Sequence, residues 1–309
     1  MISIVSPVYR AEKILPLLVS EISKVAEKIG EDYEIILVDD RSPDNSWEVM
    51  KSLAKVNPKL QVYRLSRNFG QHPTIMAGLS KTKGDWIVVM DCDMQDQPKE
   101  IEKLYNKAIE GYDMVQAKRK ERKDNFIKKI SSQYFIKTFN YLTDMKVNDE
   151  VANFGIYHRK VINSILSVND YIKAFPLFVN WVGFNRYEVN VEHNERFEGK
   201  SNYSFAKLLS LAFNIIVSFS NKPLKICVSF GGSISLLSIF VGIFFLVQTL
   251  RGKITEPGYS SLILSIWFLS GAIICCIGIV GLYVGKTFDE VKNRPVYIID
   301  EEIKHNNDE

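Results

Sequence analysis

Residues Trp86 to Glu100 read WIVVMDCDMQDQPKE, an unbroken apolar run that stops against a cluster of carboxylates. A short run without polar alternation predicts a strand buried on both faces, as in a parallel sheet covered by helices. Residues i and i+2 of an extended chain project to the same side, so Asp91 and Asp93 are expected to converge, with Gln95 continuing the row. Two carboxylates and an amide oxygen form a hard, oxygen-only site suited to Mg²⁺ or Mn²⁺. A competing account is an N-cap cluster for a helix opening at Pro98, a role open to Asp96. That account leaves Asp91 and Asp93 unexplained.

Outward from this stretch, β-branched runs at Ile2–Val8, Glu34–Asp39, Leu60–Leu65, Asp85–Asp91 and Tyr112–Gln116 alternate with helix-like segments such as Glu12–Ile29 and Pro98–Ile109. The alternation predicts an α/β fold, a Rossmann-like and mostly parallel sheet with helices on both faces. Ligands of such sheets bind beyond the carboxyl ends of the strands. Asp39 and Asp40 end the second strand there, with Ser42 and Asp44 in the following turn. A carboxylate at that point can accept hydrogen bonds from a nucleobase N–H or a ribose hydroxyl. Plain turn chemistry is the bland alternative. A phospho-receiver is a rival, disfavoured because a complete strand–helix unit precedes the acidic pair. After the first strand, SPVYRAE offers Pro7 and Tyr9 as a wall for a flat base and Glu12 as a ribose contact, or simply a strand–helix loop.

Beyond Gln116 the run AKRKERK (117–123) is basic, and Asn125–Thr143 has helical apolar spacing with Lys128, Lys129 and Lys137. These cations suit an anionic ligand or a solvated loop equally. Strand-like Ala152–Tyr157, helix-like Lys160–Leu166 and alternating Tyr187–Glu192 follow. Ser204–Ser218 is amphipathic, fit for a membrane interface or for core packing. Phe230–Leu250 and Ser261–Tyr283 are charge-free and each long enough to cross a ~30 Å bilayer core. A short connection makes them a hairpin. Lys222, Lys225, Lys286, Lys292 and Arg294 at the outer ends predict that those ends face the cytoplasm, although Arg251 and Lys253 lie in the connection. The chain therefore divides into a catalytic region (1–200), a juxtamembrane segment (201–226), a two-helix membrane anchor (227–285) and a cytoplasmic tail (286–309) with a short strand at VYIID.

The 309 residues carry a formal charge of +3, too small to imply nucleic-acid binding. Cys92, Cys227, Cys275 and Cys276 form no CxxC pair, which argues against a disulfide framework or zinc site. MISIVSPV lacks a basic n-region and cleavage site, so the expected location is integral to the cytoplasmic membrane, with the catalytic region in the cytoplasm. No GxGxxG is present, which removes a nicotinamide enzyme.

The three acidic and loop pieces, in this order, resemble the family-2 nucleotide-sugar glycosyltransferases of the GT-A fold. RNFGQHPTIMAGL (67–79), RFEGKSNYSFAKLLSLA (196–212), SFSNKPLK (218–225) and KTFDEVKNRPVYI (286–298) narrow the resemblance to the polyprenyl-phosphate glycosyltransferases, a group that includes the dolichyl-phosphate mannose synthases. The resemblance implies donor binding by Pro7, Tyr9, Glu12, Asp39, Asp40, Asp91 and Cys92, with Arg67 and Gly70 in a donor-side loop. It implies metal binding by Asp91, Asp93 and Gln95, with Asp91 and Asp93 the catalytic pair. Acceptor-phosphate contacts map to Arg119, to Lys128 with Ser132, and to Arg196 and Lys200. Lys128 departs from the Arg often found there, which removes a bidentate fork. Asn153 stands where many relatives have Asp. A homo-oligomer is also implied, the tail strand Val296–Asp300 pairing with a sheet edge, that of a neighbouring protomer.

The chemistry implied is inverting displacement of a nucleoside diphosphate, whose developing charge a divalent ion stabilises. A lipid phosphate acceptor is already an anion and needs only positioning. A hydroxyl acceptor on a glycan or glycolipid would need a general base, for which Asp96, Asp149 and Glu150 are candidates. A non-catalytic scaffold is the remaining class, and the intact acidic triad speaks against it.

Overall fold

The computed structural model describes residues 1–119, 140–142, 151–168, 170, 174–191, 220–251 and 258–304. The chain forms two compact units, one of Met1–Lys137, Met145–Asn202 and Arg294–Glu309, the other of Thr138–Asp144 and Tyr203–Asn293.

The first unit is built on eight strands: β1 (Ile2–Val8), β2 (Tyr33–Asp39), β3 (Leu60–Leu65), β4 (Trp86–Val89), β5 (Met114–Arg119), β6 (Val151–His158), β7 (Arg186–Val191) and β8 (Ile299–Ile303). Their order is β7-β5-β6-β4-β1-β2-β3-β8. β1 pairs parallel with β2 and β4, β2 with β3, and β5 with β7; β6 and β8 run antiparallel to their neighbours. Every residue of β1 and β2 is buried, as expected of central strands covered on both faces. The covering helices are α1 (Leu15–Ile29), α2 (Ser46–Val56), α3 (Gln71–Leu79), α4 (Glu100–Ala108), α5 (Arg159–Ser167) and α6 (Phe175–Trp181).

Helix α1 buries Leu15, Leu18, Val19, Ile22, Val25 and Ala26, the i, i+3, i+4 stripe of an amphipathic helix. It stops at Gly30, whose φ of 80° is the left-handed cap that glycine adopts without penalty. Helix α3 instead buries every residue from Thr74 to Leu79. It lies so close to β1 that a Cβ on Gly78 would meet Val5 Cγ1 at 2.4 Å. Only glycine permits that approach, and it holds the last turn of α3 against β1 and β2.

Two expectations are corrected here. β4 ends at Val89, not Asp91; the chain departs after the Met90 N–H bonds Val5 O at 3.1 Å. The acidic residues therefore sit in a turn, and alternation along a strand does not govern where they point. The tail strand spans Ile299–Ile303, three residues beyond the expected Val296–Asp300, and pairs antiparallel with β3 of its own chain. The open edge of β3 offers unpaired backbone groups, and the returning tail satisfies them.

The second unit contains α7 (Lys222–Leu250) and α8 (Tyr259–Val291), of 29 and 33 residues. At about 1.5 Å per residue each exceeds a bilayer core. Both expose large apolar side chains, among them Phe230, Leu237 and Phe240 on α7 and Ile266, Ile274 and Ile277 on α8. Among the described residues one segment, Phe268–Val291, is long and apolar enough to cross a membrane, with a mean hydropathy of 2.2 and none of it buried.

Candidate active site

The register of the parallel strands brings Val8, Asp39 and Arg64 level across β1, β2 and β3. The loops that leave these strands are fastened to one another. The backbone N–H groups of Arg10, Ala11 and Glu12 donate to Ser42 Oγ, Ser46 Oγ and Asp44 Oδ2 at 3.1, 2.9 and 3.3 Å. In return the Asn45 N–H donates to Glu12 Oε2 at 2.9 Å. Glu12, expected on a ribose, thus has one oxygen committed to joining two loops. Tyr9 stays exposed, with the Arg10 guanidinium 5.5 Å from its ring. Pro7 is buried inside β1.

The acidic pair after β2 splits into two roles. Asp39 is fully buried; its Oδ1 accepts the Ser42 N–H at 3.0 Å, and its Oδ2 lies 3.3 Å from Arg64 Nε without a hydrogen bond. Asp40 accepts the N–H groups of Phe69 and Gly70 at 2.7 and 2.9 Å. Burial pushes its carboxyl above the usual range, against the pull of those bonds and of Thr74. Asp40 therefore fixes the loop that carries Arg67 and Gly70. In that loop Arg67 stacks 4.3 Å from the Phe69 ring. Gly70, at φ 95° and ψ 163°, occupies a region essentially closed to other residues, and from there α3 begins. Gln71 then donates to Asp91 Oδ1 at 2.7 Å, so one short segment is bonded to both Asp40 and Asp91.

In the turn after β4, Met94 has φ 56° and the Gln95 N–H donates to Asp93 Oδ1 at 3.1 Å. Burial pushes the Cys92 thiol up to about 12, and its sulfur accepts from the Tyr9 N–H. It is a neutral thiol that ties this turn to the β1 loop. Helix α4 starts at Glu100, with Lys99 at its N-cap and no capping bond from the Lys99 side chain. Of the four non-glycine residues with positive φ among the described residues, Arg10, Arg41 and Met94 lie just beyond β1, β2 and β4. Strain of this kind persists where surrounding structure overdetermines it, as it does at functional sites.

The donor set fits a divalent cation. Among the described residues no group of three His, Cys, Asp or Glu side chains could hold a metal. Asp91 and Asp93 supply two carboxylates, and Mg²⁺-type ions are commonly bound by one or two carboxylates plus substrate phosphates and water.

Arg119, expected as an acceptor contact, is the last residue of β5, its backbone in register with Val191 of β7. Its neighbour Lys118 pairs with Glu188 at 3.7 Å. Lys128, Ser132, Arg196 and Lys200 lie outside the described residues. Sequence reasoning missed Arg64, Ser46 and Gln71. Gln71 sat inside a quoted motif, but nothing in its spacing singles it out.

Residues 3–166 match the family described as Glycosyl transferase family 2. The chain belongs to that family. It is a glycosyltransferase, and its mixed, mainly parallel eight-stranded sheet is the GT-A fold that the sequence predicts. An uncharacterized glycosyltransferase of Synechocystis sp. is 33% identical over 96% of this chain and 94% of its own length. An undecaprenyl-phosphate 4-deoxy-4-formamido-L-arabinose transferase of Shewanella sediminis is 33% identical over 96% of this chain and 91% of its own. Among solved structures, glucosyl-3-phosphoglycerate synthase from Mycobacterium tuberculosis, in complex with Mn²⁺, uridine-diphosphate and phosphoglyceric acid, superposes with a TM-score of 0.50 at 15% identity. The match covers 71% of this chain and 76% of that one.

Proposed function

We propose that this glycosyltransferase moves a sugar from a nucleoside-diphosphate donor onto a polyprenyl phosphate at the cytoplasmic face of a membrane, with inversion and with a divalent metal. One observation carries the reading: the likeness to a transferase named for undecaprenyl phosphate runs over 96% of the chain, past the family match and through α7 and α8. In this reading α7 and α8 form the two-helix anchor, with their lysine-flanked ends in the cytoplasm, and the catalytic unit meets its lipid there.

Asp91 and Asp93, with Gln95, would hold Mg²⁺ or Mn²⁺, which when bound supplies positive charge to the departing diphosphate. The chain's own residues do the rest. Asp39 and the Tyr9 loop bind the nucleoside, and Asp40 fixes the Arg67–Gly70 segment beside it. Arg119, Lys128, Ser132, Arg196 and Lys200 hold the acceptor phosphate, which as an anion needs no general base. Assembly into a homo-oligomer belongs to the same proposal, because a strand that closes β3 in cis can close a neighbour's edge by exchange.

The test is transfer from a panel of labelled nucleotide sugars, in membranes, to a short-chain prenyl phosphate and to the matching prenyl alcohol. The expected result is label in the lipid with the phosphate alone. Equal transfer to the alcohol overturns the phosphate assignment in favour of a hydroxyl acceptor.

A further inference from the structure

The row that brings Val8, Asp39 and Arg64 level continues into the tail, where Glu301 is the antiparallel partner of Arg64. Neighbours in register share a face of the sheet, so the three charged side chains lie side by side. Arg64 Nη1 donates to Glu301 Oε1 at 3.1 Å, and Trp47 Nε1 donates to Glu301 Oε2 at 3.3 Å. The Trp47 ring lies 5.6 Å from the Arg64 guanidinium carbon. The head of Arg64 is therefore held by the tail on one side and an α2 aromatic on the other. Its Nε lies 3.3 Å from Asp39 Oδ2, and neither of those buried atoms makes a hydrogen bond. The register shifts between Arg64 and Leu65, which leaves Asp300 without a partner on β3. Its Oδ2 lies 2.7 Å from Nη1 of Arg41, whose strained backbone opens the turn that carries Ser42.

We infer that Glu301 is a positioning residue for donor binding: it holds the Arg64 guanidinium so that Asp39 keeps a carboxylate oxygen for the nucleoside. The reasoning is geometric. A guanidinium prefers two parallel bonds to one carboxylate. Released by Glu301, Arg64 can turn its fork onto Asp39 and occupy both oxygens. Held by Glu301 and Trp47, it gives Asp39 a nearby positive charge without consuming its acceptors. The tail thus completes a site whose other parts lie within residues 3–166, although Glu301 lies far outside that match. The inference rests on the reading of Asp39 as a donor contact.

Direct nucleotide binding to the full-length protein in detergent tests this, with UDP, GDP and dTDP each in the presence of Mn²⁺. Donor KM and kcat are measured alongside with the best nucleotide sugar. Glu301→Ala should weaken nucleotide binding and raise donor KM by roughly three- to tenfold, the range of one ordinary hydrogen bond. The kcat and the KM for prenyl phosphate should hold. Glu301→Gln keeps one acceptor oxygen, enough for Arg64 but not for Trp47 as well, and should recover part of the loss. Glu302→Gln, one residue along and paired with Lys304 at 3.1 Å, should match wild type. A purely structural tail would lower the melting temperature and the active fraction, and hence kcat, in all three variants with donor KM unchanged; that pattern overturns the inference. So does wild-type nucleotide affinity in Glu301→Ala. If the wild-type protein itself binds none of the nucleotides, the donor reading of the site fails, and this inference with it.

Discussion

The two ends of the sheet handle buried charge in opposite ways. At the amino ends of the strands, Glu34 is buried and fully engaged: it accepts from Ser3 Oγ and the Lys83 N–H at 2.6 Å each, and from Gln61 Nε2 at 2.8 Å. Ser3 Oγ in turn accepts the Gly84 N–H at 2.8 Å, and Arg159 caps Gly84 O at 2.9 Å and Thr82 Oγ1 at 2.8 Å. At the carboxyl ends, Asp39 Oδ2, Arg64 Nε and Ser6 Oγ are buried without a hydrogen bond. Asp40 is held against its desolvation, and three residues have left-handed backbone. A buried polar group costs least when all its bonds are made. One end minimises that cost, while the other retains unfilled hydrogen-bonding capacity at the point where a ligand is expected.

If this division holds, substitutions at the two ends separate chemistry from stability. The largest effect belongs to Asp93→Ala, which should lower kcat by about two to three decades, as loss of a transition-state electrostatic contact does. Its melting temperature should stay near wild type, because the residue lies in a half-exposed turn. Full activity in the presence of EDTA would sink the metal role. The mirror experiment is Glu34→Ala. It orphans Ser3, Gln61 and the Lys83 N–H and should cost about 3 kcal/mol of stability, read as a lower melting temperature with donor KM unchanged. A change in donor KM without a thermal shift would erase the distinction between the ends.

Arg119→Ala should lower use of prenyl phosphate by one to two decades, corresponding to a charge-assisted contact of roughly 1.5–3 kcal/mol. Nucleotide binding should move little, since the proposed function places the donor on Asp39 and the acidic turn. If nucleotide affinity falls instead, β5 belongs to the donor half of the site, and Arg119 is not an acceptor contact.

The amino acid pattern made one end of this picture far more legible than the other. The bounds of β1 and β3 follow from apolar runs ended by turn residues, and the acidic strand ends are visible in the sequence because carboxylates interrupt those runs. The roles of the carboxylates are not visible. Asp39 and Asp40 are adjacent and identical in type; their division of labour depends on where the Phe69 and Gly70 N–H groups fall. Arg64 and Glu301 are 237 residues apart, and only the antiparallel register at the sheet edge joins them. IDEEI is too acidic to read as a strand by itself, which is why the expected tail strand lay three residues earlier. Helix α6, FPLFVNW, has no polar stripe to give a helical period.

The smallest test concerns His72, near the start of α3 at the functional end. Its Nδ1 is buried without a hydrogen bond, and burial holds the imidazole below the usual histidine range. In the unfolded chain the same group titrates near pKa ~6.5. As pH falls through that value the unfolded state takes up a proton that the native state refuses, so stability is lost from about pH 6.5 down through the folded value. One proton limits the slope to about 1.4 kcal/mol per pH unit. Asp40 acts with the opposite sign: its raised carboxyl binds a proton more tightly when folded, so it adds stability as pH falls toward about 3.8. His72→Gln removes the first contribution and leaves the second. Thermal midpoints measured between about pH 7.5 and 5.5 should therefore decline less steeply in the variant, with the gap between the proteins changing steadily in its favour toward acid. Parallel curves would mean that the imidazole takes up its proton as readily folded as unfolded, and that His72 is not among the uncompensated groups of the ligand-binding end.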